Sequence, residues 1–235
     1  MNALAHLMLA QGVPSGCGIV LPTAWDDNFD CGTALDTTGA RFSGANAWTV
    51  YGAGGIRDLV NITGTPELRI ASTTGGVRSA DGARQTLPAY VPASSAGDFS
   101  FEVTVRTLDG FFDSGVGLLL YELATGKNLY LLIGADFTAP GGFYDFNARV
   151  VVGTALFPTR YGRTVIASLD GTVRISRAGA TLSYAFKQGA GAWTTIYTAA
   201  QTADFTTAPD LIGPVNFVGP GGPETGYFSA FKRTV

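Results

Sequence analysis

The sequence predicts an all-β protein, a two-sheet antiparallel β-sandwich preceded by a short N-terminal helix or arm. Apolar and polar residues alternate over several short stretches, as in half-buried strands whose successive side chains point to opposite faces. The 32 glycines and 11 prolines lie mostly between these stretches, where tight turns need them. With 46% hydrophobic and 14% charged residues, the 235-residue chain can bury the core of one large sandwich.

The clearest pair of strands lies in the last third of the chain. Val173 and Ile175 alternate with polar residues in the first strand, and Leu182, Tyr184 and Phe186 do so in the second. A glycine-centred break separates the two stretches. This pattern predicts antiparallel strands that are joined by a tight turn.

The same reasoning predicts about a dozen strands in all. The others are expected at residues 47–51, 68–72, 99–106, 116–123, 128–134, 144–152, 164–169, 193–197, 211–218 and 227–231. Residues 116–123 and 128–134 are almost continuously apolar and flank a turn at residues 124–127, which indicates a central hairpin that is covered on both sides. Residues 73–97 are rich in Ser, Ala, Gly and Pro and are expected to form a long surface excursion. We find no linker or repeat, so residues 23–235 are predicted to form one domain.

Residues 1–22 are predicted to be a separate apolar segment, because they contain no Lys or Arg. Their apolar run is shorter than the about 20 residues that span a membrane, and a secretory signal peptide with a positive n-region is not recognised. We expect a short helix that packs on its own sandwich or, as the favoured alternative, docks against another subunit. The side chains of this docking arm are Leu4, Leu7, Met8 and Leu9.

The two cysteines, Cys17 and Cys31, are too few for a disulfide-rich scaffold. A zinc site would need histidine partners, and the single histidine is His6 in the arm. One bridge between the two cysteines and two free thiols are the alternatives, and the sequence favours free thiols.

The charge pattern argues against a nucleic-acid partner. The chain has 15 Lys and Arg residues against 18 Asp and Glu residues, a net charge of −3. Its basic residues are scattered singly, so no basic stripe can follow a phosphate backbone. The same scatter argues against an anionic membrane surface.

The reactive residues argue against an enzyme. Glycoside hydrolysis needs two carboxyl groups about 5–9.5 Å apart, and the glutamates of this chain form no such array. Glu102 alternates outward on its strand, where a cross-strand cation is its expected partner. His6 lies in the arm, so no Ser-His-Asp set can form in the sandwich. We therefore expect no catalytic residue and no cofactor.

Candidate calcium ligands lie close together at the start of the sandwich, where Asp26, Asp27 and Asp30 supply hard oxygen atoms. Strand alternation sends some of them to opposite faces, and Phe29 between them is expected in the core. The favoured alternative is therefore a solvated start of a strand, without a metal.

Two aromatic clusters are candidate sugar sites. Sugar sites stack aromatic rings on pyranose rings and fix hydroxyl groups with Asp and Asn side chains. At the base of a loop, the same residues also serve as core caps or subunit contacts. The members are Phe143, Tyr144, Asp145 and Asn147 in one cluster, and Phe111 and Phe112 in the other.

From about residue 26 to residue 232, the order of elements resembles the concanavalin A-like lectin/glucanase sandwiches, especially the laminin G-like modules. The resemblance rests on residues 27–30, 48, 98–103, 115–121, 174–182, 213–215 and 228–232. It implies a jelly-roll sandwich. Members of this family include lectins, glycosidases, adhesion modules and sandwich domains of bacteriophage virion proteins. The Glu-x-Asp-x-x-Glu arrangement of the glucanases of this fold is missing here.

We therefore expect a non-enzymatic structural or receptor-facing virion component, such as a bacteriophage tail, fibre or head-decoration protein that contacts host glycans. Its partners are expected to be other virion subunits or further copies of itself, held through the arm. Such a chain would be synthesised in the host cytoplasm and located in the virion. The alternative is a freestanding carbohydrate-binding, lectin-like module, and the carboxylate inventory disfavours the third class, a glycoside hydrolase.

Overall fold

The computed structural model describes residues 26–27, 29, 48–52, 56–61, 66–72, 79–89, 94–107, 114–138, 143–152, 159–219 and 224–234. The predicted docking arm with Leu4, Leu7, Met8 and Leu9 lies outside these residues, as do Cys17 and Cys31. In the described part of the chain, no helix is long and apolar enough to cross a membrane.

The described residues form fourteen β-strands, one short α-helix and one 3₁₀ turn at Ser95–Gly97. The first seven strands are β1 (Thr49–Tyr51), β2 (Ile56–Asn61), β3 (Pro66–Ala71), β4 (Ser79–Thr86), β5 (Phe99–Thr107), β6 (Ser114–Tyr121) and β7 (Asn128–Thr138). The other seven are β8 (Phe143–Val152), β9 (Thr159–Val165), β10 (Asp170–Ala178), β11 (Thr181–Lys187), β12 (Thr194–Ala200), β13 (Leu211–Val218) and β14 (Thr225–Arg233). The helix α1 (Gln201–Asp204) is a single turn.

The strands form two seven-stranded sheets. The first sheet has the order β1-β4-β13-β6-β7-β8-β9, and the second has the order β12-β11-β10-β5-β14-β3-β2. All the pairings between these strands are antiparallel. The predicted two-sheet antiparallel sandwich is therefore confirmed.

The main core lies between the two sheets. Phe101 and Val103 of β5 and Ile175 of β10 meet Leu118 of β6 and Leu131 of β7, and all five are fully buried. Burying one such side chain contributes about 1.5–3 kcal/mol, so this layer carries much of the stability of the sandwich. Buried and exposed positions alternate along β5 and β10, as the sequence pattern predicts.

Two of the predicted elements are wrong, and the surface excursion at residues 73–97 is the larger error. Strand β4 lies within it and is inserted between β1 and β13 of the first sheet. Its buried face consists of Asp81, Ala83 and Gln85, so the strand has no apolar alternation that a sequence could reveal. The strand predicted at residues 164–169 is instead β9, which ends at Val165 before a turn.

Candidate functional site

A row of short hydroxyl side chains crosses the outer face of the second sheet. Ser229 of β14 pairs with Thr104 of β5, and Thr104 pairs with Thr172 of β10. The three residues alternate with core residues such as Val105 and Phe228, so their side chains point outward. The Oγ1 atoms of Thr104 and Thr172 are hydrogen-bonded at 3.1 Å.

An ion pair borders this row on one side. Arg106 donates two hydrogen bonds to Glu67, from Nε to Oε1 at 2.8 Å and from Nη2 to Oε2 at 2.6 Å. The guanidinium carbon also lies 3.9 Å from the ring centroid of Tyr227. The hydrogen bond to Glu67 raises the pKa of Arg106 above its ordinary value. Bidentate pairing and stacking together hold this border in one geometry.

Two cations and an indole form the other border. Arg174 lies 3.7 Å from the carboxylate of Glu102, and its guanidinium carbon lies 4.0 Å from the ring centroid of Trp193. The Lys187 ammonium lies 4.8 Å from the same centroid. Lys187 also pairs with Thr172 in the strand register, so it stands at the end of the hydroxyl row. The predicted cross-strand cation beside Glu102 is thus confirmed.

Beside the Arg106–Glu67 pair, the row forms the floor of a depression of about 350 Å³, which we call the hydroxyl groove. Lys187, Arg174 and Trp193 lie next to the groove and do not line it. Ser229, Thr104 and Thr172 line it, together with Arg106 and Asp170. Its volume lies at the lower end of the range of small-molecule sites, about 300–1,000 Å³. Hydroxyl groups both donate and accept hydrogen bonds, and the neighbouring ion pair adds fixed donors and acceptors. The groove therefore suits a ligand that carries many hydroxyl groups.

The predicted aromatic clusters lie elsewhere. Asn147 of β8 is fully buried in the first sheet, and its Oδ1 accepts a hydrogen bond of 3.1 Å from Arg149 Nη1. Arg149 also donates to the carbonyl oxygen of Ser114 at 2.8 Å. The backbones of Phe143, Tyr144 and Asp145 pair with residues 138, 137 and 136 of β7. Phe111 and Phe112 lie outside the described residues. The aromatic cluster of β8 and the hydroxyl groove are therefore on different sheets.

The aspartates at the start of the sandwich bind protein donors. Asp27 Oδ2 accepts a hydrogen bond of 2.8 Å from Trp48 Nε1, and Asp26 Oδ1 accepts one of 2.7 Å from the backbone N–H of Arg233. Both aspartates are buried, so the expected solvated strand start is wrong. The backbone explains their burial, because Asp27 forms an isolated β-bridge with Phe231 of β14.

The other residues predicted in this segment are Phe29, expected in the core, and Asp30, a candidate calcium ligand. Phe29 is buried in the core, as predicted, and its backbone has a φ of 57°. Asp30 lies outside the described residues. Within the part of the chain that the structure describes, no three His, Cys, Asp or Glu side chains are grouped so that they could hold a metal ion.

The first sheet also has an apolar layer on its outer face, separate from the main core. We call it the outer apolar layer, and its fully or almost fully buried members are Leu119, Tyr130, Leu132, Val151, Val215 and Phe217. The rings of Tyr130 and Phe217 pack with centroids 5.2 Å apart, and burial raises the pKa of Tyr130. The prediction that the β6–β7 hairpin is covered on both sides is confirmed.

Sequence reasoning missed the hydroxyl groove. Its members come from strands far apart in the chain, and only the strand register brings them into one row. The sequence shows only that each of these residues occupies an outward position on a strand in which polar and apolar residues alternate. The polar alternation of β5 and β10 thus indicated an open face but not which residues meet there.

Neither a protein-family model nor a curated protein sequence matches the chain. Among solved structures, it is similar to the GH43 BlXynB protein from Bacillus licheniformis, with 12% identity, a TM-score of 0.62, and coverage of 92% of this chain and 40% of that chain. The xyloglucan PUL GH43B protein from Bacteroides ovatus gives 14% identity, a TM-score of 0.60, and coverage of 94% and 40%. This chain thus spans 40% of the length of each of these two proteins.

A functionally unknown protein from Saccharomyces cerevisiae is similar over nearly its whole length. The match covers 81% of this chain and 96% of that chain, with 13% identity and a TM-score of 0.52. At these identities the likeness concerns the fold alone. Together with the two packed antiparallel sheets, it shows that the chain has the fold of a two-sheet antiparallel β-sandwich.

Proposed function

We propose that this protein is a non-enzymatic carbohydrate-binding module whose ligand lies in the hydroxyl groove. The observation that carries the proposal is the row of Ser229, Thr104 and Thr172, bordered by the Arg106–Glu67 pair. A sugar presents several hydroxyl groups on one face, and each needs a donor or an acceptor when it leaves water. The groove offers both kinds of group at positions that the sheet holds fixed.

The absence of catalysis is part of the proposal. The carboxylate of Glu67 in the groove already accepts two hydrogen bonds from Arg106, so it is poorly placed to donate a proton to a glycosidic oxygen. We therefore expect the glycan to leave the groove unchanged. Incubation with each glycan that binds should release no reducing ends, and turnover would contradict this part of the proposal.

Binding is tested first by titration calorimetry with a panel of soluble polysaccharides, beginning with xyloglucan because of the Bacteroides ovatus relative. The variant Thr104→Arg places a long cationic side chain on the groove floor and should weaken binding at least tenfold. Its matched control is Ser183→Arg. Ser183 shares a hydroxyl pair with Thr198 at 3.4 Å on the same sheet, outside the groove lining.

The outcomes test separately whether the ligand lies in the groove and whether the protein binds carbohydrate. Wild-type affinity in Thr104→Arg would place the ligand elsewhere on the molecule. No binding to any polysaccharide of the panel would remove the carbohydrate function itself. Circular dichroism of both arginine variants should match that of the unmodified protein, because both replaced residues lie on the outer face of the sheet.

The narrower proposal, a bacteriophage virion component that presents this module to host glycans, rests on the sequence. It is supported by the low charge content of the chain and by the apolar segment 1–22 before the sandwich. The test is the molar mass in solution, by light scattering, of the full chain beside a variant that lacks residues 1–22. An oligomer that becomes a monomer on truncation would support an assembly role, and two identical monomers would contradict it.

A further inference from the structure

We propose that the groove binds an acidic glycan, and that Lys187 and Arg174, which stack on Trp193 beside the groove, hold the carboxylate of its uronic acid unit. This inference rests on the proposed function and names the class of sugar. It starts from a difference in charge between the side of the hydroxyl row at Arg106 and the end of the row at Lys187.

On the side of the row at Arg106, the positive charge is already neutralised. Arg106 is paired with Glu67 through two hydrogen bonds, and the carboxylate of Asp170 lines the same part of the groove. A further anion on this side would face two carboxylates. We therefore place the uncharged, hydroxyl-bearing part of the ligand here.

The Lys187 end carries an excess of positive charge. Among the ion pairs of the described residues, none involves Lys187. Arg174 has the carboxylate of Glu102 at 3.7 Å, and both side chains are partly exposed. Exposed pairs of this kind are weak, so Arg174 can turn a donor toward a ligand at little cost.

The indole of Trp193 holds both cations in place. The Arg174 guanidinium carbon and the Lys187 ammonium lie 4.0 and 4.8 Å from its ring centroid. Two like charges on one ring repel each other, and an anion bound beside them relieves this repulsion. Stacking also restricts the rotamers of both long side chains, which lowers the entropy that binding must remove.

The strand register connects this end to the hydroxyl row. Lys187 pairs with Thr172, and Thr172 pairs with Thr104. Neighbouring strands lie about 4.8 Å apart, roughly the width of one sugar ring. A uronic acid carries its carboxylate on the same ring as its hydroxyl groups. One unit can therefore place hydroxyl groups on Thr172 and its carboxylate toward Lys187.

The experiment compares one polymer in two charge states. Titration calorimetry of the full chain is carried out at low ionic strength with polygalacturonate and with the same polymer after chemical reduction of its carboxyl groups. We expect the unmodified protein to bind polygalacturonate at least tenfold more tightly than the reduced polymer. Added salt should narrow the gap because it screens the attraction.

Three variants locate the effect. Lys187→Gln should weaken binding of polygalacturonate at least fivefold and leave the reduced polymer unaffected, whereas Lys187→Arg should retain most of the affinity. Lys127→Gln removes the same charge from the connection between β6 and β7 of the other sheet and serves as the control. It should behave like the unmodified protein.

Each result has a separate meaning. Equal affinity for the two polymers, or equal losses in Lys187→Gln and Lys127→Gln, would overturn the acidic-glycan inference. If the reduced polymer still binds in a Thr104-dependent way, the proposed function survives that failure. If neither polymer nor any polysaccharide of the panel binds, the proposed function fails together with the inference.

Discussion

The outer faces of the two sheets differ sharply although both sheets obey the same alternation. In the first sheet, both faces of β6 are buried, and the outer apolar layer has the composition of a core. In the second sheet, β10 buries one face and leaves the other to polar side chains. A sheet face that is covered supplies stability, whereas a face that stays open can meet a ligand. The comparison therefore assigns stability to the covered outer face and leaves the open face as the one that we propose for recognition.

The largest expected effect comes from truncating the outer apolar layer. Phe217→Ala removes a fully buried ring that packs against Tyr130, and we expect the free energy of unfolding to fall by about 3–5 kcal/mol. Urea-induced unfolding followed by circular dichroism measures the change. Val165→Ala on the same sheet is the control, because Val165 is 65% exposed and should cost little. Similar small losses in both variants would erase the difference between the two faces.

A smaller loss of stability is expected from replacing Glu122, which is buried directly after the end of β6. Burial by itself raises the pKa of Glu122, but hydrogen bonds from Thr125 and Thr207 outweigh it and lower the pKa below its ordinary value of 4.5. A carboxylate with a lowered pKa stabilises the fold above the pKa of the unfolded chain. This contribution is lost as the pH falls through the lower, folded value.

Glu122→Gln should therefore cost roughly 1–2 kcal/mol at pH 7 and less in acid. The free energy of unfolding, measured in urea from pH 7 to pH 3, should fall less steeply in the variant than in the unmodified protein. Parallel curves would show that Glu122 is not the titrating group. Neutral donors hold this carboxylate, whereas an arginine holds Glu67 of the second sheet, so added salt should affect Glu122 little.

The smallest effect is expected on the open face. Thr104→Ala removes one hydroxyl group from the groove floor, and the free energy of unfolding should change by less than about 0.5 kcal/mol. The same urea experiment applies. A loss as large as that of Phe217→Ala would mean that the groove floor supports the sheet, and the division between a stabilising and a recognising face would fail.

The strands were predictable from the sequence where a pattern within a few neighbouring residues defines them. Alternation over a few residues defines β5, β10 and β11, and a continuous apolar run defines the β6–β7 hairpin. Strand β4 was not predictable in this way, because its buried face includes Asp81 and Gln85, which occur more often in loops and on surfaces. Its strand structure depends on β1 and β13, which pair with it from distant parts of the chain.

The site was less predictable than the fold. The sequence identifies Thr104 and Thr172 as outward positions, but their contact depends on the register between β5 and β10. The cluster of Asp26 and Asp27 shows the opposite problem. The two carboxylates are adjacent in the sequence. The groups that donate hydrogen bonds to them, Trp48 Nε1 and the backbone N–H of Arg233, come from distant parts of the chain. The sequence left a solvated strand start and a calcium site as alternatives for these aspartates, whereas tertiary contacts supply protein donors.

The positions of β13 and β14 constrain the order in which the chain can fold. Strand β13 lies between β4 and β6, and β14 lies between β3 and β5, so the last two described strands complete the interior of both sheets. During synthesis, β3, β4, β5 and β6 each keep one unpaired edge until β13 and β14 have emerged from the ribosome. Such edges pair readily with other chains. Nascent copies of this protein should therefore depend on chaperones until the final strands insert, and folding should be slow because its decisive pairings are long-range.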